Sequence, residues 1–255
     1  MKMITVRKSA ERRHIGTKNQ KSWMTFDSEN QSDPLQNGFY ALKILNEEMH
    51  YPGSEFILHT HKDMVTVTYV RDGVIIYKGP LEKSYLVEAK NFHRVDLTPD
   101  TQQYAFNTLD SDVAHVFQSG FTHSEGLLKP DGIKKLFTHM ERQGIFKLIA
   151  SSDGREASLH IHQDVQMYST FIQKGHFMTH KLNPGRNAWL HVAKGQVLIG
   201  DLQFRTGDGA GFSDQGAVSF TAQEPTEILL FDLCGQIPEK IKMGEKRKLQ
   251  TAKTR

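Results

Sequence analysis

The sequence predicts an all-β protein built as two successive barrel-like halves. Three observations carry that prediction. Short apolar runs rich in β-branched and aromatic residues recur along the chain, separated by turn residues. A length of 255 residues suits one large or two medium domains with an ample core. The halves also echo each other: Val67 to Val74 resembles Trp189 to Val197, each a strand, a glycine-containing turn and a second strand.

Taken in order, the first series places strands over Phe56–Leu58, Val65–Val70 and Val74–Tyr77, with Arg71-Asp72-Gly73 as a tight hairpin turn. Further strands are expected over Phe92–Leu97 and Ala114–Phe121. A connecting helix is expected over Asp131–Arg142, where Ile133, Leu136, Phe137 and Met140 recur at helical intervals. The second series covers Ser158–His162, Gln166–Phe171, Ala188–Val192, Gln196–Ile199, Ala217–Phe220 and Glu227–Leu233, with turns at Lys194-Gly195 and Asp208-Gly209. Short strands at regular spacing argue for a barrel or sandwich. The implied division is an N-terminal domain over residues 1–126, a C-terminal domain over 127–235 and a basic tail over 236–255.

Hydrophobic content of 38% and charged content of 24% are those of a globular chain, not a disordered one. No apolar run approaches the ~20 residues of a membrane-spanning helix, and the basic, polar stretch from Met1 to Lys21 does not read as a secretory signal. The single Cys234 cannot form an internal disulfide. A cytoplasmic protein without a membrane partner is therefore the expectation. The basic excess is concentrated in the last sixteen residues, where Lys240, Lys242, Lys246, Arg247, Lys248, Lys253 and Arg255 face one acid, Glu245. The body is close to neutral, so nucleic acid is not an expected partner.

His59-Thr60-His61 is the sharpest chemical feature. Residues two apart in a strand point to one face, so both imidazoles can reach one point, and neutral imidazole is the commonest ligand for Fe, Ni, Cu and Zn. Two ligands alone do not define a site. His160-Ile161-His162 has the same spacing but polar surroundings (Gln163, Asp164, Gln166), and is read as a solvent-facing strand. His93, His115, His123 and His139 stand alone as surface or hydrogen-bonded residues, and Cys234 reads as a small apolar residue near a strand end. No phosphate-binding glycine loop, dinucleotide fingerprint or nucleophile elbow is present.

With these residues in view, the sequence resembles the pirin family of bicupins, related to bacterial quercetin 2,3-dioxygenase-type proteins. The resemblance runs from Arg7 to about Cys234. It is carried by Arg7 to Arg12, Trp23 to Phe26, Gly38 to Asn46 and, most specifically, Pro52 to Met64 continuing through Thr68 to Gly73. In the second half it rests on His162-Gln163-Asp164, Gly195 and Leu229 to Leu233. It implies two cupin barrels with one metal, often iron, in the first. The implied ligands are the two histidines of a His-x-His strand, a later histidine and a glutamate. The first pair falls on His59 and His61. Counted without a gap from Gly73, the third histidine falls on Gln103 and the glutamate on Ala105. His123-Ser124-Glu125 resembles the missing segment but would need a large deletion to reach it.

Gln103 offers a neutral amide oxygen and Ala105 nothing, so the only anionic ligand is lost and a divalent cation would keep its charge in a partly dry pocket. His93 shares strand parity with Val95, expected to face the barrel interior, and is a weak additional ligand candidate. A metal-free barrel suits this set at least as well as one holding Fe, Ni or Mn. The expected function is a pirin-like bicupin with a degenerate metal site, binding a small molecule in its first barrel or a protein partner, with little or no catalysis. The alternative is a metal-dependent quercetin 2,3-dioxygenase-type oxidoreductase acting on a flavonol-like substrate.

Overall fold

A computed structural model describes residues 3–58, 64–78, 84–96, 103–107, 112–122 and 132–235. Its elements are almost all strands. In the first half these are β1 (Met3–Arg7), β2 (Arg13–Gly16), β3 (Gln20–Met24), β4 (Leu42–His50), β5 (Glu55–Leu58) and β6 (Met64–Asp72). They are followed by β7 (Val74–Lys78), β8 (Ser84–Glu88), β9 (Asn91–Asp96), β10 (Gln103–Asn107), β11 (Ala114–Thr122) and β12 (Gly132–Leu136). A four-residue helix, α1 (His139–Arg142), leads to β13 (Lys147–Ser151), β14 (Leu159–His160), β15 (Val165–Ile172), β16 (Phe177–Lys181) and β17 (Arg186–Lys194). The chain continues through β18 (Gln196–Ile199), β19 (Leu202–Arg205), β20 (Gly209–Ser213), β21 (Ala217–Ala222) and β22 (Thr226–Cys234).

These strands form two seven-stranded and two four-stranded sheets. One pair has the orders β12-β9-β6-β11-β4-β3-β2 and β5-β10-β7-β8; the other has β1-β20-β17-β22-β15-β13-β14 and β16-β21-β18-β19. The duplication read from the hairpins is thus a duplication of whole barrels. The all-β bicupin architecture is the observed one. β1 pairs with β20, so the first strand of the chain completes a sheet of the second half.

Alternation along each strand sorts the interior into separate layers. The two seven-stranded sheets pack face to face. Leu45, Val67, Tyr69, Phe92, Phe117 and Phe121 from one meet Met167, Trp189, Leu229, Phe231 and Leu233 from the other in a single buried cluster. The opposite face of the second large sheet closes a barrel filled by Ala188, Leu190, Val192, Val197, Phe204, Phe212, Val218, Phe220, Ile228 and Leu230.

The sequence reading needs correction in places. The expected helix over Asp131–Arg142 is β12 and then α1, with Asp131 outside the described residues. Pairing of β12 with β9, from Gly132 opposite Val95 to Leu136 opposite Asn91, overrides the helical spacing, and Ile133 and Leu136 remain exposed. α1 starts where Thr138 and Glu141 form a reciprocal capping box. The expected strand over Ser158–His162 shrinks to Leu159–His160. Strand β20 was not expected, because Asp208-Gly209 reads as a turn. Both of its glycines are there for close approach: a Cβ would lie 2.6 Å from the Trp189 ring at Gly209 and 2.5 Å from the Phe39 ring at Gly211.

The hairpin glycines behave as read. Gly195 has φ +95°, and a Cβ there would sit 2.6 Å from the Pro225 carbonyl and 2.5 Å from Thr226 Oγ1. Gly195→Ala is expected to cost at least ~1 kcal/mol, because it adds a strained φ to a backbone clash. Urea denaturation of the variant measures it.

Candidate functional site

The two barrels share a topology but not an interior. Strand β6 of the first corresponds to β17 of the second, and where β17 lines its barrel with Ala188, Leu190 and Val192, β6 presents Thr66, Thr68 and Val70. Likewise β22 presents Ile228 and Leu230 where β11 presents Val116 and Gln118. Strand β9 adds His93, opposite Thr68 in the register, and β4 adds Glu48 and His50 on the same face. One end of this first barrel is apolar, with Val70, Ile75, Val87 and Val116 fully buried. Farther along, its described lining includes the polar side chains of Thr66, Thr68, His93, Gln118, Glu48 and His50.

The polar lining is organised. The Glu48 carboxylate lies 2.9 Å from His50 Nε2 and accepts from Gln118 Nε2 at 3.3 Å. Gln118 is the register partner of Thr68, and Thr68 of His93, so the groups span the sheet as a band. Burial, reinforced by the charges of Lys134 and Arg94, pushes the His93 imidazole down to about 4. Its ring is therefore neutral at pH 7, the form that ligates metals or accepts a hydrogen bond. Thr68 Oγ1 is sealed from solvent without a hydrogen bond among the described residues, a polar atom turned into a barrel that can use it.

The sequence-predicted site residues fall around this interior unequally. His93 is buried on the inner face, as its parity with Val95 suggested. His59 and His61 lie outside the described residues, directly after β5. Strand β10 pairs with β5 so that Gln103 stands opposite Leu58 and Ala105 opposite Phe56, which brings the two segments implied by the resemblance side by side. His123, Ser124 and Glu125 lie outside the described residues as well. His160 and His162 are exposed, with ring centroids 4.6 Å apart. His115 is buried and hydrogen-bonded to Glu47 at 2.8 Å, and His139 stacks on Phe171.

Glu48 is the residue that sequence reasoning missed. It sits in Asn46-Glu47-Glu48, whose charges argue against a buried strand, although strict alternation would have sent Glu47 and Glu48 to opposite faces. Both are buried, and both are partnered. Glu47 turns to the interface between the large sheets, where Arg12 Nη1 donates to it at 2.7 Å. Burial would raise the Glu47 carboxyl, but the hydrogen bonds from His115 and Arg12 and the charge of Arg12 outweigh it and hold the group down to about 2.

Among the described residues no three His, Cys, Asp or Glu side chains converge as a metal site. Among the described residues the lining offers an ion only modest donors: His93 is neutral, Gln118 and the threonines are neutral oxygen donors, and the Glu48 carboxylate is already engaged. No helix among the described residues is long and apolar enough to cross a membrane.

Comparison with known proteins agrees with the geometry. A family profile described as the quercetinase C-terminal cupin domain matches residues 148–233. A protein of Escherichia coli (strain K12) named quercetin 2,3-dioxygenase is 31% identical over 231 residues, covering 91% of this chain and 99% of that one. A pirin-like protein of Caulobacter vibrioides is 27% identical over 201 residues, covering 78% and 86%. Among solved structures, bacterial pirin YhhW from Escherichia coli in complex with nickel(II) superposes with a TM-score of 0.83 at 31% identity, covering 92% of this chain and all of that one. Kinship at this level, along almost the whole length of both barrels, makes this chain a member of the pirin family.

Proposed function

We propose that this protein is a pirin-type bicupin whose first barrel binds a small molecule or serves a regulatory partner, with a degenerate metal site and little or no catalysis. The observation that carries this reading is the contrast between the barrels: the second is filled with apolar side chains, while the first is lined by Thr66, Thr68, His93, Gln118 and Glu48. A buried polar lining is costly unless it meets a ligand, water or its own partners. The degenerate character is supported by the chain itself, which has Gln103 and Ala105 where the family resemblance places a histidine and a glutamate. His59 and His61 would hold a metal if one binds, with His93 or Gln103 as further ligand. An Fe, Ni or Mn ion would supply Lewis acidity and a route to dioxygen.

The second reading, a metal-dependent quercetin 2,3-dioxygenase-type enzyme, is favoured by the name of the Escherichia coli relative and by the nickel(II) bound to YhhW. Metal analysis separates the two. Protein expressed with supplemented Fe, Ni, Mn, Zn and Cu is expected to carry well under one ion per chain and to leave quercetin unchanged. His59→Ala/His61→Ala is expected to abolish the residual metal, and Gln103→His/Ala105→Glu to raise occupancy toward one ion. Near-stoichiometric metal with quercetin turnover in the unaltered protein would overturn the first reading in favour of the second.

A further inference from the structure

The second barrel holds an unassigned group at its own mouth. Strand β16 occupies there the place that β5 occupies in the first barrel, each ending a four-stranded sheet. Counted from the hairpin glycines Gly73 and Gly195, the sheet registers put His180 of β16 at the place that Leu58 holds at the end of β5.

His180 is held by a carboxylate. Its Nε2 lies 2.9 Å from Asp232 Oδ2. Arg186 Nε donates to the other oxygen of Asp232, Arg186 Nη2 to the Asp232 carbonyl at 2.9 Å and Arg186 Nη1 to Asp164 at 2.7 Å. With Nε2 turned to Asp232, Nδ1 is the other ring nitrogen and makes no hydrogen bond among the described residues; unprotonated, it presents a lone pair. The His180 side chain is 11% exposed. Aromatic rings surround it: Tyr168 at 4.8 Å and Phe146 at 5.4 Å between centroids, with Phe220 beneath Phe146 at 6.1 Å. Tyr168 donates its hydroxyl to Gln166 at 2.6 Å. Phe146, Tyr168 and His180 are all half-buried, so the rim keeps an accessible edge.

We propose that the mouth of the second barrel binds a planar aromatic ligand bearing a hydroxyl group, which donates to Nδ1 of His180 while its ring lies against Phe146 and Tyr168. A metal does not fit: among the described residues no third His, Cys, Asp or Glu joins His180 and Asp232 in a group that could hold an ion. An anion does not fit either, because the Arg186 guanidinium is already committed to Asp232 and Asp164. What remains is a directed acceptor at an aromatic edge, which selects an aromatic donor. The proposal is independent of the first barrel's occupant.

The test compares 4-methylphenol with 4-methylanisole, which differ by the hydroxyl hydrogen replaced with methyl, by calorimetric titration of the full-length protein. The phenol is expected to bind about tenfold more tightly, the worth of one neutral hydrogen bond. The gap should disappear in His180→Ala and His180→Phe and persist in His59→Ala/His61→Ala. Equal binding of the two probes to the unaltered protein, no binding of either, or a gap that survives in both folded His180 variants would overturn the proposal. A gap lost only in the His59/His61 variant would assign the phenol to the first barrel, and would overturn it too.

Discussion

Arg142→Ala is expected to destabilise the protein by ~3–5 kcal/mol, the cost of leaving one partner of a buried ion pair alone. Arg142 is fully buried. It donates from Nη1 to Glu227 at 3.1 Å, to the Tyr69 hydroxyl at 3.1 Å and to Ser169 at 3.0 Å. Tyr69 donates to the same Glu227 oxygen at 2.5 Å. The guanidinium also lies 4.4 Å from the centre of the Phe171 ring. Burial and the neighbouring Glu227 charge raise the Tyr69 phenol well above its ordinary range, so it stays a donor. The cluster joins β6 of the first barrel to β15 and β22 of the second. Without Arg142 the Glu227 carboxylate keeps only the Tyr69 hydrogen bond in a dry interface, and the truncated side chain leaves a cavity. Arg142→Met/Glu227→Leu is expected to recover most of the loss, because no buried charge is then stranded. Urea denaturation measures both variants. A loss below ~1 kcal/mol in Arg142→Ala, the level of an exposed ion pair, would show that the interface does not depend on the pair.

The second large effect is on pH. His191 is completely buried between the large sheets, and neither ring nitrogen makes a hydrogen bond among the described residues. Burial and the Arg12 charge, partly offset by Glu47 and Asp208, push its imidazole down from 6.5 to about 3. Between these values the unfolded chain binds a proton that the folded chain refuses. Stability is therefore complete above about pH 6.5 and is lost as the pH falls toward 3. At pH 5 the loss from this one group is ~2 kcal/mol, from one and a half pH units at 1.36 kcal/mol each. Glu47 acts in a lower window: its depressed carboxyl stabilises the fold above its ordinary value of 4.5, and that stability is lost as the pH falls toward 2. His191→Leu should remove the higher limb and leave the lower. Thermal unfolding of both proteins at pH 5 and pH 8 tests this. An unchanged difference between the two pH values in His191→Leu would assign the acid sensitivity elsewhere.

Much of the fold was legible in the sequence. Strands β6, β7, β11, β15, β17, β18 and β22 alternate or run apolar between glycine turns, and Gly73 and Gly195 mark the hairpins because only glycine accepts their positive φ beside a crowded backbone. Several strands escaped notice, β1, β2, β3, β8, β10, β13, β16 and β19 among them, and in three others the local chemistry contradicts the place. β4 carries Asn46, Glu47 and Glu48, β20 is rich in glycine, and β12 follows a helical spacing. Each is a strand because of what it pairs with, and partners distant in the chain leave no local signature.

The site divides in the same way. The sequence by itself determined the all-β character, the doubling of the barrel and the attention due to His59, His61 and His93, which follow from residue identity and strand periodicity; Gln103 and Ala105 entered through the family resemblance. Only the tertiary structure decided that the first barrel is polar inside while the second is packed. It also decided that Glu48 lies within the first barrel, that His180 is held by Asp232 at the mouth of the second, and that Arg142 and Glu227 meet between them. The physical reason is that burial and charge pairing are properties of strands brought together from distant parts of the chain. A carboxylate reads as surface in a sequence until the arginine, histidine or amide that satisfies it is placed beside it.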